Sequence, residues 1–116
     1  MKPGTILLIV VAIFVLWNQF GPSLENTGEI DFDKAVIIDV RSPGEFSGGH
    51  VEGAINLPID SITEADVLKL TQKDQPIVLY CRSGARASRV KSQMGQWGFS
   101  NVYNLKTQAG VESAMK

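Results

Sequence analysis

The segment "PIVLYCRSGARASRVKSQMGQWGF", residues 76–99, contains the only cysteine of the 116-residue chain. It opens with an apolar run, Ile77 to Tyr80, of the kind found in a strand buried on both faces of a parallel sheet. It continues into a helical pattern, in which Ala87, Val90, Met94 and Trp97 fall three, four and three residues apart and form one stripe. Gly98 follows where a helix C-terminus is expected. The cysteine therefore stands at a strand-to-helix turn, with Ser83 and Gly84 supplying the turn and Arg82 and Arg86 flanking it.

Further strand and helix signals alternate along the chain. "KAVIIDV" (34–40) reads as a second buried strand, "GAINLP" (53–58) as a brief strand stopped by Pro58, and "NVYNL" (101–105) as the last. Between them, Ser42, Pro43 and Glu45 make a capping box that opens a short helix. Ser61 and Glu64 predict a second box, with a helix running to about Leu70 and turning Ile62, Ala65 and Leu68 inward. The tail to Lys116 predicts a short closing helix. Alternation of this kind implies an α/β fold with a mainly parallel sheet and helices on both faces.

The N-terminus is different in character. Lys2 precedes thirteen uncharged, almost wholly apolar residues from Thr5 to Trp17, and the uncharged stretch from Pro3 to Phe20 is eighteen long. Residues 1–22 read as an uncleaved signal anchor or, alternatively, a cleaved signal peptide, since no A-x-A cleavage site follows. A run apolar on every face argues against an ordinary amphipathic core helix. Residues 23–29 form a polar linker, and 30–116 the folded domain. The charge bias across the segment places the N-terminus inside and the domain outside the inner membrane, either tethered there or free in the periplasm after cleavage.

Net charge is −1, so the chain as a whole carries no nucleic-acid signal. Its distribution is uneven. Residues 1–80 hold five Lys/Arg and eleven Asp/Glu, a balance of −6; residues 81–116 hold six Lys/Arg and one Glu, a balance of +5. The positive part begins at Cys81 and is compatible with a local anion site or with a solvated basic face. One cysteine excludes an internal disulfide and a CxxC redox pair. One cysteine and one distant histidine make a zinc site improbable, and no metal is expected.

In parallel α/β sheets ligands bind beyond the carboxyl ends of the strands. At that place the Ser83–Gly84 turn can curl its N–H groups toward one centre, and the following helix aims its free amides and positive dipole end at the same point. A cysteine ionising near pKa ~8.5 when free falls by one to several units in such surroundings. The alternative is an inert cysteine buried as a small hydrophobe. With the glycine turn, the helix start and the arginines Arg82, Arg86 and Arg89 nearby, the reactive reading is preferred.

"IIDVRSPGEFSGGHVEGAINLP" and "IVLYCRSGARAS" together resemble the two signatures of the rhodanese, or thiosulfate sulfurtransferase, domain, over about residues 30 to 105. The membrane-directed N-terminus and "MGQWGFSNVYNL" are most similar to the small periplasmic phage-shock rhodaneses. The resemblance implies a five-stranded, mainly parallel sheet and a persulfide formed on Cys81. It assigns substrate binding to the loop Arg82, Ser83, Gly84, Ala85 and Arg86, and structural roles beside the site to Asp39, Arg41 and His50. It implies no cofactor, a small anionic sulfur donor, a thiophilic acceptor such as cyanide or a thiol, and a monomer. Family members with Gly-Gly and a later Trp after the last strand differ from this chain, which reads "KTQAGVESAMK" there. Two rivals remain. Cysteine-dependent phosphatases place five residues between Cys and Arg, whereas Cys81 and Arg86 enclose four, Ala87 follows, and Tyr80 replaces the usual preceding His. A membrane-tethered persulfide carrier or a non-catalytic interaction module shares the same fold, although an inert module usually loses the cysteine or the loop glycine.

Overall fold

The computed structural model describes residues 30–116. The predicted N-terminal anchor or signal segment and the 23–29 linker lie outside them. The described chain runs β1 (Val36–Asp39), α1 (Pro43–Ser47), β2 (Ile55–Asn56), α2 (Glu64–Leu68), β3 (Ile77–Tyr80), α3 (Ala85–Gln96), β4 (Val102–Asn104) and α4 (Gln108–Ala114).

The strands pair in the order β2-β1-β3-β4, all parallel. Register places Asp39 beside Asn56 on one side and Tyr80 on the other, so β1, β2 and β3 end at a common rim. The sheet has four strands among the described residues rather than the five that the resemblance implied. Residues 30–116 carry four runs of strand character, and the residues after β4 turn at once into a helix that Thr107 caps by accepting from the Gly110 N–H at 3.0 Å.

Side-chain alternation along β1 and β3 builds two cores. Ile38, Val40, Ile77, Leu79 and Cys81 face one side, where Val67 of α2 and Ala87, Val90 and Met94 of α3 cover them. Ile37, Val78 and Tyr80 face the other, covered by Val111 of α4 and by Phe46 of α1. Helices on both faces explain why the two central strands are near-continuous apolar runs.

The helix ends follow their local chemistry, with one correction. Ser42 and Glu45 form the expected reciprocal capping box. The second box is formed by Thr63 and Asp66, not by Ser61 and Glu64. The Ser61 and Ile62 N–H groups donate instead to the Pro58 carbonyl, so both residues belong to the turn after Pro58. The stripe anticipated through Ile62, Ala65 and Leu68 is thereby broken. Val67 is fully buried, Ala65 is exposed, and Leu68 is 47% exposed. At the end of α3, Gly98 takes φ 92°, and the Phe99 N–H reaches back to the Met94 carbonyl while the Gly98 N–H reaches Gly95. This Schellman closure returns Phe99 to the core, and the left-handed backbone it requires suits glycine.

Candidate active site

β3 delivers Cys81 to the rim, where its N–H donates to the Lys106 carbonyl at 3.0 Å. The chain then turns through Arg82, Ser83 and Gly84. Gly84 sits at φ 97°, in the left-handed region that costs any other L-residue roughly 1–2 kcal/mol. A side chain there would also press within 3.0–3.1 Å of the Lys106 side chain. α3 starts immediately afterwards, at Ala85, and no side chain caps its N-terminus. The Ala85 N–H makes a long contact to Ser83 Oγ at 3.4 Å, and the amides on either side of it are open to another acceptor.

That acceptor is sulfur. The Gly84 N–H donates to Cys81 Sγ at 3.0 Å. Burial pushes the Cys81 thiol up, but the backbone N–H groups of Ala87, Ser83, Gly84 and Arg86 together outweigh it, and the thiol rests below its ordinary pKa. The residue is 2% exposed and joins the apolar cluster under α3, while Sγ itself meets the loop amides. Partial burial combined with converging donors is the setting in which a thiolate persists and stays nucleophilic.

The loop arginines have different fates. Arg82 is exposed. Arg86 is bound in a fork by Glu45 of α1, with Nη1 to Oε1 at 2.7 Å and Nη2 to Oε2 at 3.0 Å. The Arg86 hydrogen bond, followed by the Ser42 N–H, lowers the Glu45 carboxyl to about 2. Arg86 therefore carries a countercharge that its sequence position did not reveal. Glu45 serves two purposes, closing the Ser42 box and linking α1 to the cysteine loop. The sequence signals only the first, since a bidentate partner 41 residues away has no local signature.

The neighbouring β1 turn is a closed hydrogen-bond system. Asp39 is fully buried and accepts from the Arg41 N–H at 2.8 Å and from its guanidinium at 2.7–3.0 Å. Arg41 Nη2 also donates to the Gly49 carbonyl, and the guanidinium lies 5.5 Å from the Tyr80 ring centroid. The Tyr80 hydroxyl accepts the Val51 N–H at 3.0 Å, and burial pushes its phenol pKa up. His50 stacks on Phe46 with ring centroids 3.6 Å apart, and its Nδ1 lies 2.8 Å from the Phe46 carbonyl. Asp39, Arg41 and His50 thus contact the scaffold and not Cys81.

Two supports of the loop escaped the sequence reading. Asn104 Nδ2 donates to the Gly84 carbonyl at 3.1 Å, and Asn104 Oδ1 accepts the Lys106 N–H at 2.9 Å. Lys106 adopts φ 73°, a rare conformation for a side-chain-bearing residue, and so aims its carbonyl at Cys81. The brace on the β4 side thus joins Asn104, at the end of the last strand, to Lys106, the first residue of the segment that departs from the family pattern. On the β1 side a cleft of about 480 Å³ runs past Arg86, lined by Val40, Pro58, Ile59, Asp60 and Arg89 among others. Among the described residues no three His, Cys, Asp or Glu side chains converge as metal ligands would.

Comparison with known proteins agrees with this geometry. The rhodanese-like domain model matches residues 25–107. YqhL of Bacillus subtilis is 32% identical over 101 residues, covering 86% of this chain and 79% of that protein. A putative mitochondrial thiosulfate sulfurtransferase of Schizosaccharomyces pombe is 32% identical over 107 residues, covering 81% and 72%. The thiosulfate sulfurtransferase PspE of Escherichia coli is 31% identical over 67 residues, covering 58% and 64%. A tRNA uridine(34) hydroxylase of Erwinia tasmaniensis is 32% identical over 87 residues, 71% of this chain but only 25% of that enzyme. Among solved structures, a rhodanese with anions from E. coli superposes with TM-score 0.60 at 28% identity, covering 66% of this chain and 89% of that one. A parallel sheet ending in an amide-lined cysteine loop, with these similarities, shows that the chain belongs to the rhodanese-like domain family.

Proposed function

We propose that this member of a sulfurtransferase family moves sulfane sulfur in two steps through Cys81. The Cys81 thiolate attacks the outer sulfur of thiosulfate, the S–S bond of the donor breaks, and sulfite leaves with the electron pair. The resulting persulfide then gives its outer sulfur to a thiophilic acceptor, cyanide or a thiol, and the thiolate returns. This is covalent catalysis with an activated nucleophile. The observation that carries it is the set of backbone N–H groups directed at one sulfur, led by the Gly84 contact at 3.0 Å. Such amides stabilise a thiolate and also an anionic group attached to it. The loop Arg82 to Arg86 provides this cradle mainly through its main chain, because the Arg86 side chain is engaged by Glu45.

The test is thiocyanate production from thiosulfate and cyanide. Cys81→Ser abolishes it while circular dichroism stays native; full activity in that variant refutes the proposal. Intact mass spectrometry before and after thiosulfate shows a gain of about 32 Da that cyanide removes.

A membrane-tethered persulfide carrier is the second reading, favoured by the apolar residues 1–22. In that case the domain works in the periplasm as a monomer on a small anionic donor, and a partner's thiol discharges Cys81 faster than cyanide does. The hydroxylase relatives share this domain over a quarter of their length, so their chemistry is not carried over.

A further inference from the structure

Among the described residues, Lys106 is the only one other than glycine with a positive φ, 73°. Its main chain accounts for part of this, since the carbonyl so aimed accepts the Cys81 N–H at 3.0 Å. Glycine or asparagine holds a carbonyl in that conformation with less strain. What neither supplies is the lysine side chain. Strained residues of this kind cluster at sites where the strain serves a function.

The stem of that side chain lies on the cysteine loop. Lys106 Cγ comes within 3.0 Å of the place a Cβ would take on Gly84, and the Gly84 N–H meets Cys81 Sγ at 3.0 Å. A single residue thus separates the lysine stem from the sulfur. Lys106 is exposed and forms no ion pair with any described residue. Arg86, in contrast, is matched by Glu45. Glu112, the only carboxylate side chain from Cys81 to the C-terminus, accepts from Gln108 Nε2 at 2.9 Å. Lysine commonly packs its stem and keeps its ammonium in water. Here that posture sets an uncompensated positive charge beside the loop.

We propose that Lys106 selects an anionic sulfur donor at Cys81. This rests on the sulfur-transfer reading above. In thiosulfate the outer sulfur reacts and the charged oxygens lie beyond it, so a donor aligned on Sγ carries those oxygens outward, to the side where the ammonium stands. As Sγ bonds to the outer sulfur, the donor S–S bond breaks and its electron pair goes to the departing sulfite. Negative charge therefore collects on the group nearest Lys106, and a cation there favours the transition state over the free donor.

Cys81 is the only thiol, so three probes of the full-length chain report on it alone: neutral iodoacetamide, singly charged iodoacetate and doubly charged thiosulfate. Mass spectrometry follows each reaction. Rates are taken relative to iodoacetamide, which cancels changes in folding or in thiol acidity. Lys106→Met keeps the stem and removes the charge. It is expected to lower the relative rate about threefold for iodoacetate and about tenfold for thiosulfate, the grading that one exposed cation gives to one and two negative charges. Lys106→Arg is expected to retain both. Relative rates unchanged in Lys106→Met, or lowered as far in Lys106→Arg, overturn the assignment and leave sulfur transfer standing. A wild-type protein that takes up no sulfur from thiosulfate sinks the sulfur-transfer reading, and this donor role with it.

Discussion

Two turns leave neighbouring parallel strands at the same rim, and they are built in opposite ways. After β1, side chains satisfy the backbone: Arg41 closes onto Asp39, and Ser42 and Glu45 cap α1 reciprocally. After β3 the N-cap is Gly84, which has no side chain to cap α3; Ser83 Oγ reaches only the Ala85 N–H, at 3.4 Å, and the Gly84 N–H turns to Cys81 Sγ. A helix N-terminus presents its first N–H groups without internal partners. Where the chain supplies a capping side chain, the turn becomes scaffold. Where it supplies a glycine and a nearby thiol, the same groups become an anion cradle.

The scaffold side should show the largest stability cost. Asp39→Ala leaves Arg41 without its carboxylate beside the aromatic ring of Tyr80, and removal of one partner from a largely buried pair costs about 3 kcal/mol. Urea denaturation measures it. A loss under about 0.5 kcal/mol, the range of ordinary surface changes, would show that this turn is not held by its ion pair.

The reactive turn should instead break at its glycine. Gly84→Ala forces a side chain into φ 97° against Lys106, at a cost of about 1–2 kcal/mol. Sulfur transfer should fall at least about tenfold, since 1.4 kcal/mol of lost positioning corresponds to that factor. The pH at which Cys81 is half-alkylated by iodoacetamide should rise as amides leave Sγ. An unaltered alkylation profile would mean that the loop geometry does not set the thiol's acidity.

A smaller effect tests capping alone. Thr63→Ala should cost about 1 kcal/mol, whereas Ser61→Ala should cost close to nothing, because Thr63 caps α2 and Ser61 lies in the preceding turn. Thermal melts of the two variants decide this directly.

The subtlest change concerns the link between the turns. Glu45→Gln preserves a side chain able to close the capping box but removes the charge facing Arg86. Glu45 is depressed in the fold, to about 2 from 4.5, so its stabilising contribution is complete above the unfolded value and is lost as pH falls from about 4.5 through 2. The wild type should therefore lose stability relative to Glu45→Gln across that window and nowhere above it. Releasing Arg86 should also move Cys81 alkylation to slightly lower pH, since an uncompensated cation near the loop favours the thiolate.

Much of this was legible from residue order. Apolar runs at Ile37–Ile38 and Ile77–Tyr80, the Ser42–Glu45 box, the α3 stripe and Gly98 are all local patterns, read within a turn or a strand of their position. Cys81 and Gly84 were legible for the same reason: a strand end, a glycine and a helix start adjoin in the chain. The helix after Pro58 was misread because two hydroxyl residues two positions apart both fit a capping box, and the turn hydrogen bonds to the Pro58 carbonyl chose between them.

Sequence alone determined which sulfur would sit at the rim of a parallel sheet, because strand, turn and helix propensities act over a few neighbouring residues. Tertiary structure decided which charges remain available around it. Glu45 reaches Arg86, and Lys106 and Asn104 brace the loop, across separations of 20 to 41 residues. Folding brings those groups together through the register of the sheet and the packing of its helices, and no local pattern encodes such a meeting.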